Sequence, residues 1–128
     1  MANLARKIAD EAQIGDVIAL KGTLGAGKSF FAENFINFLS EKKLNILSPT
    51  FNLVYSYNTK KGEVFHFDLY RLKNADELEN IGFFDAIKNG ICLIEWPKIA
   101  EKFLPKNHLK ITIKILEDEM REVFLEHN

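Results

Sequence analysis

The spacing of apolar residues predicts a helix, a strand and a second helix in the first third of the chain. Residues 2–13 carry apolar side chains at helical intervals with charged residues between them, which indicates an amphipathic helix. Gly15 and Asp16 then turn the chain into the apolar run 17–21, which is typical of a buried strand. From about residue 29 to residue 43, phenylalanine and leucine recur at helical spacing, so we predict a second helix there.

The middle of the chain is dominated by strand patterns. The short apolar run 45–47 predicts a second strand, which would close a βαβ unit around the glycine-rich segment 22–29. Residues 51–57 and 63–70 also have strand patterns, and the turn-forming residues 58–62 between them predict a β-hairpin.

Short helices and a final pair of strands are predicted for the rest of the chain. In the segment 109–115 every second residue is apolar, which predicts a strand with one buried face. The predicted elements are, in order, helical pieces at 74–81 and 83–89 that Gly82 separates, a buried strand at 91–95, a short helix at 98–104, a turn at 105–107, the strand 109–115 and a segment at 121–125 that pairs back on it.

Size and composition narrow the classes of protein that remain. With 128 residues, 47% of them hydrophobic, residues 1–128 are expected to form one packed domain. A net charge of −1 lacks the basic excess that usually accompanies direct nucleic-acid binding. No apolar run reaches the length of a membrane span, and Cys92, the single cysteine, excludes an internal disulfide. We therefore expect a cytoplasmic protein that does not bind membranes, with Cys92 in its core.

The segment Gly-Thr-Leu-Gly-Ala-Gly-Lys-Ser at 22–29 carries the most specific chemistry. It matches the phosphate-binding pattern G-x-x-x-x-G-K-[ST] without a departure, and it lies between a predicted strand and a predicted helix, as that pattern requires. The glycines let backbone N–H groups converge on phosphate oxygens. Lys28 is then expected at the β- and γ-phosphates, and the Ser29 hydroxyl at Mg²⁺. The glycine spacing does not fit the dinucleotide pattern G-x-G-x-x-G.

A polar row on the strand 63–70 supplies the next candidates. His66, Asp68 and Tyr70 share one face of this otherwise apolar strand. Near a γ-phosphate, the Asp68 carboxylate can orient or deprotonate an attacking water, and His66 can contact Asp68 or the ligand. The alternative is that this face is the solvent-exposed edge of the hairpin, with His66 in a packing or hydrogen-bonding role.

Two further positions depend on where their segments lie in the sheet. The buried strand 91–95 ends in Glu95, whose carboxylate at the tip of a central parallel strand can hold Mg²⁺ opposite Ser29. The alternative is a strand that simply ends in a polar residue, before Trp96 and Pro97 pack and stop it. If 45–47 lies beside the first strand, the corner at 48–50 brings the Thr50 hydroxyl near the γ-phosphate; otherwise it is a plain turn.

Taken together, the motifs resemble those of the TsaE family, the small P-loop ATPases of bacterial tRNA threonylcarbamoyladenosine synthesis. The resemblance spans most of the chain. The phosphate loop alone would fit hundreds of families, whereas the pattern His-x-Asp-x-Tyr-Arg followed by Glu-Trp-Pro is far more specific. The matching segments are Gly-x-Leu-Gly-Ala-Gly-Lys-Ser at 22–29, Ser-Pro-Thr-Phe at 48–51, His-Phe-Asp-Leu-Tyr-Arg-Leu at 66–72, Glu-Leu-Glu-x-x-Gly at 77–82 and Glu-Trp-Pro at 95–97.

The resemblance implies an α/β P-loop NTPase fold, in which helices flank a central sheet that is largely parallel in its core and mixed at its edges. It implies ATP and Mg²⁺ as ligands, with Ser29 and Glu95 on the metal and Lys28, Asp68 and Glu95 in catalysis. It also implies that ATP hydrolysis supports the TsaB–TsaD pair, so that tRNA is met only through that complex. The residues implied to bind the nucleotide are Gly22, Thr23, Leu24, Gly25, Ala26, Gly27, Lys28, Ser29, Phe30, Thr50 and Arg121.

The chain departs from the family pattern in two places. Ser29 stands where the family usually has threonine, which keeps the hydroxyl. The chain also carries little of the segment that, in the family, precedes the first helix and lies near the nucleotide base.

Other classes of protein fit the chain less well. A small-molecule kinase would share the phosphate loop, but such kinases usually carry a lid with several arginines, and this chain has only Arg6, Arg71 and Arg121. The guanine-reading pattern Asn-Lys-x-Asp of GTPases is absent. A non-hydrolysing binding module would be expected to lack part of the set Lys28, Ser29, Asp68 and Glu95. We therefore expect a partner-dependent ATPase, with the kinase as the alternative.

Overall fold

Helices and strands follow one another much as the apolar pattern predicts. The computed structural model describes residues 1–23, 25–49 and 52–127. The elements are helix α1 (Ala2–Glu11), strand β1 (Val17–Lys21), helix α2 (Lys28–Leu39), strands β2 (Val54–Thr59) and β3 (Gly62–Asp68), helices α3 (Glu77–Asn80) and α4 (Phe83–Asn89), strand β4 (Ile91–Glu95), a 3₁₀ helix (Pro97–Phe103), and strands β5 (Leu109–Ile115) and β6 (Arg121–His127).

Within the described residues, six strands form one sheet in the order β2-β3-β4-β1-β5-β6. The central strands β3, β4, β1 and β5 run parallel, whereas β2 and β6 pair antiparallel at the two edges. The expected sheet, parallel in its core and mixed at its edges, is therefore confirmed. The parallel arrangement brings the C-terminal ends of β1, β3 and β4 to one edge of the sheet.

Both faces of the sheet are covered, so its central strands are apolar on both sides. Helices α1 and α2 pack on one face, where Leu20 and Leu93 join the core that contains Phe31 and Phe35. Helix α4 and the 3₁₀ helix pack on the other face, where Ile94 joins Phe67 and Phe83. Cys92 lies in this second core as expected, and burial raises the pKa of its thiol to about 12. No helix in the described residues is long and apolar enough to cross a membrane.

The prediction of a strand at 45–47 is wrong. These residues form no strand, and the neighbours of β1 in the sheet are β4 and β5. The apolar pattern has another cause, because Leu44 and Ile46 pack against the core under α1 and α2 while Leu47 is exposed. The strand beside β1 on which the prediction for Thr50 depended is therefore not formed by 45–47, and Thr50 itself lies outside the described residues.

Several element ends also differ from the pattern. Helix α2 ends at Leu39 rather than near residue 43, because no apolar residue follows at 40–43 and the Ser40 hydroxyl donates to the Ile36 carbonyl at 2.8 Å. The hairpin is confirmed with shifted strands. Strand β2 begins only at Val54, because Leu53 has a φ of 69°. Gly82, with a φ of 73°, separates α3 from α4 as predicted.

The hairpin between β2 and β3 also supports helix α1. The Lys61 ammonium, from the hairpin turn, donates to the carbonyls of Ala9 at 3.0 Å and Ala12 at 2.9 Å, and also to that of Asp10. These carbonyls lie at the C-terminal end of α1, where the last backbone acceptors lack the N–H four residues on and where the helix dipole favours a cation; the Ala9 carbonyl also accepts from the Ala12 N–H at 3.2 Å.

Replacing Lys61 by methionine is therefore expected to lower the free energy of unfolding by about 1–2 kcal/mol, because the α1 carbonyls lose a charged donor. Urea unfolding of the Lys61→Met variant measures this loss. Lys42→Met removes an exposed lysine elsewhere and serves as the control. Equal unfolding midpoints for the two variants would show that the Lys61 contacts do not stabilise the helix.

Candidate functional site

The glycine-rich loop 22–27 joins β1 to α2 at the edge of the sheet where the parallel strands end. Leu20 of β1 pairs with Glu95 of β4, and Glu95 pairs in turn with Asp68 of β3. Three neighbouring strands therefore deliver the loop and two carboxylates to the same place. Ligands of open α/β sheets bind at this edge.

Glycine is required in this loop both by its backbone angles and by its packing. Gly25 and Gly27 have φ values of 79° and 114°, in the region that side chains rarely adopt. A Cβ on Gly22 would lie 2.6 Å from the Ile113 carbonyl oxygen of β5. The loop therefore packs against the sheet through Gly22 and turns back toward α2 through Gly25 and Gly27.

Lys28, the first residue of α2, is almost fully buried, with 4% of its surface exposed. Its ammonium donates to the carbonyls of Gly22 at 2.6 Å and Thr23 at 2.8 Å, and it lies 4.2 Å from the centre of the Trp96 ring. Desolvation lowers the pKa of Lys28, while the charges of Glu95 and Asp68 act in the opposite direction. A cation is thus held inside the loop, beside two carboxylates.

Glu95 is the centre of a buried polar cluster. The Ser29 hydroxyl lies 3.2 Å from each of its carboxylate oxygens, and the His66 imidazole Nε2 lies 2.6 Å from Oε2. Asp68, beside it on β3, accepts a hydrogen bond from the Tyr70 backbone N–H at 3.0 Å. Strand β3 is an inner strand, and both His66 and Asp68 are buried. The alternative that this face is a solvent-exposed edge of the hairpin is therefore wrong for His66 and Asp68, whereas Tyr70 lies beyond the end of β3 and is exposed.

Most of the predicted site residues meet at one cavity of about 230 Å³. It has a cation, a hydroxyl and two carboxylates in its wall, beside glycine backbone. The lining residues are Gly25, Gly27, Lys28, Ser29, Phe30, Asp68, Glu95 and Trp96. The cavity can accept an anionic group at the loop and a cation at the carboxylates.

The other predicted nucleotide-binding residues lie away from this cavity or outside the described residues. Gly22 and Thr23 face Lys28 through their carbonyls, and Ala26 is fully buried. The Arg121 guanidinium, from β6, donates to the Ala26 carbonyl at 3.0 Å and the Gly25 carbonyl at 3.4 Å. It therefore contacts the loop from its carbonyl side. Leu24 and Thr50 lie outside the described residues.

Two side chains have larger roles in the site than the sequence alone indicated. Trp96 stops β4, as predicted, but its φ of 56° also places its ring over Lys28 and in the cavity wall. The only sequence signal for this was its position directly after Glu95. His66 contacts Glu95 rather than Asp68. Its face of β3 could be predicted, but its partner depends on the register between β3 and β4.

Comparison with known proteins gives a consistent result. The model of the family described as "Threonylcarbamoyl adenosine biosynthesis protein TsaE" matches residues 1–123. Two proteins named tRNA threonylcarbamoyladenosine biosynthesis protein TsaE are each 37% identical to this chain. The one from Rickettsia prowazekii aligns over 93% of this chain and 83% of its own length, and the one from Bacillus subtilis over 94% and 75%.

A solved structure is also similar. The crystal structure of Bacillus subtilis YdiB superposes with a TM-score of 0.74 at 33% sequence identity, and the match covers 99% of this chain and 78% of that one. The match therefore spans nearly the whole chain.

Proposed function

The chain belongs to the TsaE family, and from this premise we propose that it is an ATP-binding and ATP-hydrolysing subunit that supports the TsaB–TsaD complex. The family takes part in tRNA threonylcarbamoyladenosine biosynthesis, which sets the pathway in which the chain acts. The observation that carries the proposal is the meeting of Lys28, Ser29, Asp68 and Glu95 at one cavity beside the glycine loop.

The loop is proposed to hold the ATP phosphates. Its glycines keep side chains away from the cavity, and the N-terminus of α2 carries a partial positive charge that favours anions. The Lys28 ammonium now donates to two loop carbonyls, so phosphate oxygens would compete with these carbonyls for the same donor. A charged acceptor forms the stronger hydrogen bond, which favours the exchange.

The site also fits a magnesium ion of the kind that nucleotides bring with them. Within the described residues, no group of three or more His, Cys, Asp or Glu side chains is arranged to hold a metal. Mg²⁺ in nucleotide sites needs no such group, because one or two protein oxygens suffice when phosphates and waters complete its shell. Ser29 and Glu95, in contact at 3.2 Å, would supply those oxygens. When bound, the ion would neutralise charge on the transferred phosphate.

Asp68 is proposed to act on the attacking water. Its carboxylate lies in the cavity wall, and one of its oxygens is oriented by the Tyr70 backbone N–H. A carboxylate in this position accepts a proton from water as it attacks, or orients the water for attack. Glu95, already in contact with Ser29 and His66, is proposed to serve the metal instead.

The partner proposal rests on the family and on charge. A net charge of −1 gives no general basis for holding a polyanion. We therefore propose that the chain binds proteins, the TsaB–TsaD pair, and meets tRNA only through them.

The direct test is ATP hydrolysis by the purified chain, alone and with a TsaB–TsaD pair added. We expect slow turnover alone and a changed rate when the pair is present, both dependent on Mg²⁺. A preparation carrying Lys28→Ala measures the contaminating background. If the pair has no effect and the phosphate is instead transferred to a metabolite, the protein is a small-molecule kinase and the proposed function is wrong.

A further inference from the structure

Asp68 and Glu95 are neighbouring buried carboxylates, and their negative charges must be held apart. They are register partners on adjacent strands, both line the cavity, and only 5% and 4% of their surfaces are exposed. Neighbouring carboxylates repel each other, and burial strengthens the repulsion. Each carboxylate therefore needs hydrogen-bond partners of its own to keep a fixed position and a distinct role.

His66 also contacts Glu95 from strand β3, two residues before Asp68. His66 precedes Asp68 by two residues on β3, and its register partner is Leu93 rather than Glu95. The 2.6 Å contact between His66 Nε2 and Glu95 Oε2 is therefore diagonal, toward the start of the strands. This contact and the Ser29 hydroxyl together fix the orientation of the Glu95 carboxylate.

The surroundings of the other imidazole nitrogen, Nδ1, indicate which ring nitrogen carries the proton. His66 is 1% exposed, and its Nδ1 has no hydrogen-bond partner among the described residues. A buried N–H without an acceptor is costly, so the tautomer with its proton on Nε2 is favoured. His66 thus donates to Glu95 Oε2.

We propose that His66 is a positioning residue, which keeps Glu95 beside Ser29 for the metal ion and leaves Asp68 for the attacking water. This inference rests on the proposed function. Partners of metal-binding carboxylates in this outer position typically change metal affinity by about 10–100-fold when they are removed. Loss of the His66 donor leaves the Ser29 hydroxyl, which Glu95 Oε2 shares with Oε1, as the hydrogen-bond partner of this carboxylate among the described residues, and lets the carboxylate turn toward Lys28.

Three substitutions of His66 distinguish the effect of losing the N–H donor from the effect of changing the side-chain volume. His66→Gln places an amide donor near the position of Nε2, His66→Asn is too short to reach Glu95, and His66→Phe keeps a ring without a donor. Trp96 is the only tryptophan and lies in the cavity wall, so its fluorescence reports binding of a non-hydrolysable ATP analogue. The quantity measured is the Mg²⁺ concentration that gives half-maximal binding of the analogue.

We expect His66→Asn and His66→Phe to raise this Mg²⁺ concentration by about 10–100-fold, and His66→Gln to restore most of the loss. Affinity for the analogue without Mg²⁺ should stay within about threefold of the wild type, because the loop and Lys28 are intact. Val64→Ala is the matched control, since Val64 lies two residues before His66 on the same face of β3 and is fully buried.

The outcomes distinguish the inference from the proposed function. If the wild type binds the analogue without any dependence on Mg²⁺, the metal part of the proposed function fails, and this inference fails with it. If the wild type depends on Mg²⁺ but His66→Asn loses only stability, as Val64→Ala does, His66 is a structural residue and the inference alone is overturned. Equal defects in His66→Gln and His66→Asn would likewise exclude the donor as the cause.

Discussion

The Lys28→Ala variant is expected to lose at least about a hundredfold in affinity for ATP, because it removes the ammonium that is proposed to donate charge-assisted hydrogen bonds, worth roughly 1.5–3 kcal/mol each, to the phosphate oxygens. The wild-type ammonium is buried, lies in the loop and has carbonyl partners that phosphate oxygens can replace. Isothermal titration with ATP and Mg²⁺ measures the loss. It is preferable to Trp96 fluorescence here, because the substitution also removes the cation beside that ring.

A matched control is available at the end of β1. Lys21 borders the same loop, but it is partly exposed and pairs with Glu101 at 3.4 Å. Lys21→Ala should therefore leave ATP affinity within about threefold of the wild type, because Lys21 does not line the cavity and its ammonium faces Glu101. Unchanged affinity and turnover in Lys28→Ala would show that the loop does not bind phosphate.

Features that depend on neighbouring residues in the sequence were predicted best. The phosphate loop and its flanking strand and helix follow from local glycine chemistry and apolar spacing, and the loop, β1 and α2 occur where they were expected. Glu95 at the end of a buried strand is likewise a local pattern. For these features, the sequence carries both the residue and its structural context.

Features that depend on pairing between distant segments were predicted less well. The apolar residue Ile46 in the segment 45–47 packs against the core that contains α1 and α2. Burial of a side chain does not determine which backbone segments pair, and the strands beside β1 are β4 and β5. The His66–Glu95 contact depends on a parallel register that no local pattern encodes. The position of Trp96 depends on a left-handed backbone angle, which a non-glycine residue rarely adopts.

Asp68→Ala is expected to lower the rate of ATP hydrolysis by at least about a hundredfold, the usual range for loss of a general base. ATP affinity should stay within about threefold, because Lys28 and the loop, rather than Asp68, are proposed to hold the phosphates. The Asp68 charge acts on Lys28, so it lies electrostatically near the proposed phosphate site. Removing a negative charge there should not weaken binding of an anion.

Steady-state turnover with the TsaB–TsaD pair present, together with titration of ATP, separates the two effects. Asp68→Asn strengthens the test, because its amide oxygen can still accept from the Tyr70 N–H while it no longer accepts a proton from water. Asp76→Ala, at an exposed aspartate eight residues further along, controls for a general loss of negative charge. If Asp68→Asn still turns over at the wild-type rate, the catalytic role on water lies with another group, such as Glu95. If that group is Glu95, a single carboxylate would serve both the metal ion and the water. The contacts of Glu95 with Ser29 and His66 would then not assign it to the metal alone.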